Sequence, residues 1–358
     1  MRAALLTEYG RPLVVEELAP VPPGPEDVVV RMSASALCFT DCLNQRGTRG
    51  IRRSLPTILG HAAVGVVAQR GSAVTRVREG DRVVVPGTPE CGRCHWCLRG
   101  RPDQCEHLGL EPSVVARRAD GGEVRCLLGT YAEEIRIVGS WVFPLRSSLD
   151  DVTLSLLGCG VTSGLGAVFN VADVQPGASV AVVGCGHLGL WMIQGARVAG
   201  AERIIAVEPL ADRLEVARRV GATDLVNPAE GDPVEQVRDL TDGRGVDHAL
   251  EASGWPEAQE QAFLMAARAG TVVFTGVFSQ RATISLNQVE MALRGRAVLG
   301  AQNGRCRMPR DIPRYVELLE RGAVDAAPLI SGRHRLDDIN DALESAAARR
   351  GLTGVIVP

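Results

Sequence analysis

No stretch of this 358-residue chain approaches the roughly 18–20 uninterrupted apolar residues of a membrane-spanning helix. Net charge is scarce as well. With 39 basic and 42 acidic side chains it comes to −3, so neither nucleic acid nor an anionic membrane is expected as a partner. The opening residues, Met1-Arg2-Ala3-Ala4-Leu5-Leu6-Thr7-Glu8, lack the apolar core and cleavage site of a signal peptide. A cytoplasmic location is therefore the expectation. Internal repeats and low-complexity tracts are missing, apart from short Ala/Arg runs. What remains is an ordinary globular composition, 46% hydrophobic and 23% charged, long enough for two domains with separate cores.

Cysteine is the residue in unexpected supply, at 10. Disulfides are rare in the expected compartment, which leaves metal as the leading explanation. Four of the ten form Cys91-x2-Cys94-x2-Cys97-x7-Cys105, on a loop rich in Gly, Arg and Pro. Four thiolates at these spacings suit a tetrahedral structural zinc. A disulfide pair conflicts with the compartment, and a redox pair would not need the third and fourth cysteines. With four sulfurs filling the shell, His95 and His107 read as surface residues of the lobe.

A second local signal is Gly184-Cys185-Gly186-His187-Leu188-Gly189. It follows the apolar strand Val180-Ala181-Val182-Val183 and precedes an apolar helix through Ala199. Strand, glycine turn and helix form a dinucleotide-binding fingerprint. Gly184 permits the tight turn, Gly186 lets the backbone approach a pyrophosphate, and Gly189 allows helix and strand to pack closely. The next strand, Arg203-Ile204-Ile205-Ala206-Val207, ends in Glu208, 19 residues after Gly189, where ribose hydroxyls need an acceptor. From about residue 162 to 297 strands alternate with helices, which predicts a parallel, doubly wound sheet. The N-terminal part is strand-rich and broken by Pro20, Pro22, Pro23 and Pro25. A strand over 130–137 returns to this β-rich part. The tail is expected to hold a strand at 297–300, helices over 312–321 and 337–349, and a last strand at 355–357.

With Cys38-Phe39-Thr40-Asp41, Gly60-His61, the cysteine lobe, Gly158-Cys159-Gly160-Val161-Thr162-Ser163-Gly164 and the glycine turn in view, the chain resembles zinc-containing alcohol dehydrogenases of the medium-chain dehydrogenase/reductase superfamily. The resemblance covers essentially the whole length. It implies an α/β fold with a β-rich GroES-like catalytic domain, residues 1–161 and 298–358, and a Rossmann cofactor domain, 162–297. It further implies two zinc ions per chain and NAD, with the catalytic zinc on Cys38, His61 and Cys159 and a fourth position open. Two thiolates, one imidazole and an open site make a Lewis acid able to hold an alkoxide. Other roles carry over by position. Thr40 would bond the substrate hydroxyl and begin a proton relay, and Asp41 would fix His61 from behind. Ser163 and the backbone near Val277 would lie against the nicotinamide, with Leu188 packed behind it. Arg213 would flank the adenosine ribose, while Leu110 and Tyr131 would wall the substrate pocket. Family members are homo-oligomers, and a dimer is expected ahead of a tetramer.

Several positions depart from the family pattern. Ala62 follows the zinc-binding histidine where relatives usually have Glu, and Leu43 stands where a relay histidine is common. Phe39 and Thr353 occupy places where relatives put cations against the pyrophosphate. Glutathione-dependent formaldehyde dehydrogenases carry an arginine soon after the fourth lobe cysteine, but Glu106-His107-Leu108-Gly109-Leu110 has none. The expected activity is reversible hydride transfer between an alcohol and NAD. A biosynthetic carbonyl reductase is one alternative, and a non-catalytic binding protein that kept the fold is another.

Overall fold

A computed structural model describes residues 1–48, 53–88, 90–106 and 112–358. The chain divides into two units. The first comprises Met1–Cys159, Arg307–Glu320 and Leu329–Pro358, and the second comprises Gly160–Cys306 and Arg321–Pro328. No single helix among the described residues is long and apolar enough to cross a membrane.

The first unit is built on a seven-stranded sheet. Its strand order is Phe143–Pro144, Arg82–Val85, Ala63–Arg70, Asp27–Ala36, Thr353–Val357 and Ile330–Arg335, with Glu134–Val138 also pairing Asp27–Ala36. Neighbours run antiparallel except the last two of that path, which are parallel. The strand Asp27–Ala36 is central, with strands paired along both of its edges, and its apolar run Val28, Val30, Met32, Ala34 and Ala36 is buried. Two three-stranded sheets complete the unit. The expected strand over 130–137 starts later, at Glu134, because Thr130 and Tyr131 turn back to bond Gly60 and Leu59. The tail helix starts earlier than expected, at Met308, and carries Pro313 within its first turns. Ile330–Arg335 was not expected as a strand: its charged alternation Arg333-His334-Arg335 suits only an edge.

The second unit holds six parallel strands. Their order is Asp224–Val226, Arg203–Val207, Ser179–Val183, Val246–Glu251, Ala266–Phe274 and Ala297–Gly300. Numbered along the chain this reads 3-2-1-4-5-6, the dinucleotide-binding arrangement. Val180 to Val182 are fully buried, as a strand covered on both faces requires. One boundary needs correction. The strand at 297–300, expected to fall mainly within the catalytic part, pairs in parallel with Thr271–Phe274 and closes this sheet instead. Residues 321–328 also belong to the second unit.

Candidate active site

Three chain segments of the first unit bring ligands together. Cys38 ends the run from strand Asp27–Ala36 and sits as N-cap of the helix Phe39–Arg46, in extended conformation. His61 follows Gly60, whose φ of +90° favours glycine; a Cβ there would also lie 2.9 Å from the Tyr131 ring. Cys159 closes the short 3-10 turn Leu156–Gly158. One ligand atom from each residue lies within 4.8 Å of the other two. Gly158 packs on the fully buried Ala62, since a Cβ at 158 would stand 2.8 Å from the Ala62 Cβ.

Asp41 anchors the cluster. It is 1% exposed. The His61 Nδ1–H donates to Asp41 Oδ1 at 3.1 Å, which leaves Nε2 as the imidazole's ligand atom. Asp41 Oδ2 accepts from the Cys38 backbone N–H at 3.2 Å, so the third helical residue reaches back to the cap. It also accepts from the Tyr131 hydroxyl at 2.7 Å. Burial opposes charge on His61, yet Asp41 and Cys38 outweigh it and raise its pKa to about 10. The same anionic neighbours, Asp41 and Cys38, favour a cation at this point, and a metal ion bound through Nε2 takes the place of that proton. The site's soft donors and negative potential fit a zinc ion.

Two expected pocket residues need comment. Tyr131 is fully buried, and its hydroxyl is spent on Asp41. It is a support behind His61 and not a pocket wall. Leu110 lies outside the described residues, as does His107. Thr40 is half-buried on the first turn after Cys38, and Phe39 beside it is 41% exposed. Leu43 is buried, so no titrating group stands at that point of the helix.

The four lobe cysteines converge separately. Their sulfurs lie within 4.8 Å of one another, with Cys91–Cys97 at 4.0 Å and Cys94–Cys105 at 3.9 Å. Disulfides would need about 2.05 Å, whereas a tetrahedron of Zn–S bonds near 2.3 Å has edges of about 3.8 Å. Backbone N–H groups of Arg93 and Cys94 donate to Cys91 Sγ at 3.4 and 3.3 Å. Bonds from the backbone of Cys97 and Glu106 pull the Cys94 pKa down to about 6. His95 is exposed, with Nδ1 against Arg99.

In the second unit the glycine turn is tightly specified. Gly184 has φ +90°, and a Cβ on Gly189 would collide with the Gly184 carbonyl oxygen. Gly186 caps the helix His187–Ala199, leaving its first N–H groups toward the turn, with Leu188 half-buried beside them. Glu208 is buried, and its carboxylate accepts from Cys185 N at 2.8 Å and Leu210 N at 3.2 Å. Each oxygen keeps a further lone pair, so the acid both braces the turn and can still accept from a ligand. Arg213 Nη1 stands 3.6 Å from where a Gly186 Cβ would be, placing its guanidinium over the turn. Ser163 is buried and donates to Asn303 Oδ1 at 3.3 Å, which also takes the Thr162 hydroxyl at 3.1 Å. Asn303 carries no sequence signal, because 140 residues separate it from Ser163. Val277 is half-exposed in the loop after strand Ala266–Phe274. Glu251, fully buried at the end of its strand, likewise carries no sequence signal.

A soft-donor metal cluster in a β-rich unit, with a glycine turn on a separate parallel sheet, defines a zinc-site oxidoreductase built around a dinucleotide fold. Comparison with known proteins agrees. Residues 24–147 match the alcohol dehydrogenase GroES-like domain, and residues 188–321 match the zinc-binding dehydrogenase domain. S-(hydroxymethyl)glutathione dehydrogenases of Synechocystis sp. and Escherichia coli O1:K1 / APEC are each 34% identical over 370 aligned positions, covering 99% of both chains. Benzyl alcohol dehydrogenase from Acinetobacter calcoaceticus superposes with a TM-score of 0.92 at 28% identity, covering 99% of this chain and 98% of its own. An alcohol dehydrogenase zinc-binding domain protein from Burkholderia ambifaria gives 0.93 at 28%, covering 100% and 98%. The chain belongs to the zinc-dependent alcohol dehydrogenases of the medium-chain dehydrogenase/reductase superfamily, oxidoreductases acting on CH–OH groups.

Proposed function

We propose that this enzyme oxidises a small alcohol with NAD, and reduces the matching aldehyde or ketone in reverse, at Cys38, His61 and Cys159. The observation that carries the reading is the convergence of these three ligand atoms within 4.8 Å, with His61 braced by Asp41. When bound, zinc supplies Lewis-acid polarisation of the substrate oxygen, and NAD supplies the hydride acceptor. Asp41 keeps the His61 ring oriented, and Thr40 is the hydroxyl placed to take and pass on the substrate proton. Leu43 offers no second carrier on that helix, so the proton's onward path does not run through this side chain. A second zinc, on the four lobe cysteines, is part of the proposal.

Glu208 supports NAD over NADP, because a 2′-phosphate there would meet a like charge. Arg213 over the turn softens that repulsion, so the proposal is a preference. Ser163, Leu188 and Val277 remain assigned to the nicotinamide end. Oxidation of S-(hydroxymethyl)glutathione is the second reading, favoured by the 34% relatives. The lack of an arginine from Glu106 to Leu110 speaks for a plainer alcohol. A panel of aliphatic alcohols, benzyl alcohol and S-(hydroxymethyl)glutathione, run in both directions with NAD and NADP, separates the readings. A homodimer in the cytoplasm completes the proposal, and light scattering measures the assembly.

A further inference from the structure

One fully buried acid of the second unit has no role in the reaction. Glu251 ends the strand Val246–Glu251 and is 0% exposed. A buried carboxylate without partners is strongly unfavourable. Burial raises its pKa, opposed by bonds from Ser253, Gly254 and Gln259. Its Oε1 accepts from the Ser253 N–H, the Ser253 hydroxyl and the Gly254 N–H, each at 2.6 Å. Oε2 accepts from Gln259 Nε2 at 3.3 Å, and the same amide nitrogen donates to the Gly276 carbonyl at 3.1 Å.

Those contacts knot three loops at the carboxyl edge of the sheet. Gly184, in the glycine turn, is so close to the loop after Glu251 that a Cβ on it would lie 3.0 Å from Ser253 Cβ. A Cβ on Gly254 would lie 2.8 Å from Val277 N. The loops after strands Ser179–Val183, Val246–Glu251 and Ala266–Phe274 therefore meet around residues 253–254, and Glu251 fixes those residues from beneath. Dinucleotides bind in the crevice at the carboxyl ends of such strands. A carboxylate that orders three N–H and O–H donors of one loop sets that crevice's shape before a ligand arrives, which lowers the ordering cost of binding.

We infer that Glu251 is a positioning residue for the cofactor site, acting through Ser253, Gly254 and Gln259 and touching no cofactor itself. The inference rests on the NAD reading. Its test is calorimetric titration of NADH into the zinc-replete enzyme and its Glu251→Ala and Glu251→Gln variants, with thermal unfolding alongside. Folded Glu251→Ala should bind NADH about tenfold more weakly or worse, as loss of a charge-assisted network predicts. Glu251→Gln keeps one oxygen for Ser253 and Gly254, so its loss should be intermediate, about threefold or more. The loss should appear as a raised KM for NAD and not as a fall in kcat at saturating NAD, because the binding step bears it. If Glu251→Ala does not fold, Glu251→Gln decides alone. Wild-type NADH affinity in the folded variants, whatever happens to the melting temperature, overturns the inference and leaves Glu251 a purely structural acid. No NADH binding by the wild-type enzyme overturns instead the cofactor reading beneath it.

Discussion

Tyr131 donates its hydroxyl to Asp41 Oδ2 at 2.7 Å across 90 residues of sequence, and so reaches the zinc cluster without facing the substrate. Asp41 in turn holds His61. Tyr131→Phe keeps the ring that packs against Gly60 and removes only the donor. Buried partners behind a metal-binding histidine are worth about 10–100-fold in metal affinity or activity. Zinc affinity of the Cys38/His61/Cys159 site should fall by about tenfold in this variant, and stability by about 1–2 kcal/mol. Chelator competition and thermal unfolding measure the two. Unchanged zinc affinity would return Tyr131 to the role of core filler.

The two cysteine clusters should separate by phenotype. Elemental analysis should give two zinc ions per chain, one for each cluster. Cys94→Ser should lower the melting temperature, because structural zinc contributes folding energy directly. Cys159→Ser should leave the melting temperature nearly unchanged and abolish turnover. A saturated value near one zinc in the wild-type enzyme would remove the claim for one cluster.

Glu208 has two tasks, bracing Cys185 and Leu210 and standing where a ribose hydroxyl is expected. Glu208→Ala should therefore cut kcat/KM for NAD by about tenfold while leaving NADP unchanged or improved. Measured with both cofactors, the ratio should move toward NADP. Equal efficiency with NAD and NADP in the unaltered enzyme would contradict the assignment.

Phe39 projects into solvent beside Cys38, where relatives place a cation, and Thr353 is fully buried at the other such position. A charge-assisted bond to a phosphate contributes roughly 1.5–3 kcal/mol. Phe39→Arg should tighten NAD binding by about tenfold and slow NADH release, and release limits turnover in many enzymes. Stopped-flow displacement reads the release rate directly. If affinity is unchanged or worse, a neighbouring arginine such as Arg46, Arg349 or Arg350 already fills the gap.

The glycine turn and the cysteine lobe were legible because each is a local device. A tight turn needs glycines at fixed offsets, and four thiolates on one loop can close on one ion. Cys38, His61 and Cys159 are a different case, since nothing in their own neighbourhoods joins them; only the family pattern did. Burial decided what pattern left open. Tyr131 looked like a wall residue by position, but its hydroxyl points to Asp41. Glu251 and Asn303 gave no signal, because an acid ending a strand and a lone asparagine are common, and their partners are set by loop packing. The strand 297–300 was recognised as a strand, but a short apolar run does not reveal which sheet will take it.

Alcohol oxidation by NAD is proposed to occur at the Cys38/His61/Cys159 cluster. Absorbance of reduced cofactor, followed while zinc-replete enzyme meets the alcohol panel with NAD, tests it most directly. NADH should form with at least one simple aliphatic or aromatic alcohol, and none should form with the Cys159→Ser variant under the same conditions. No NADH from any alcohol with the zinc-replete enzyme, or equal rates from Cys159→Ser, would contradict it.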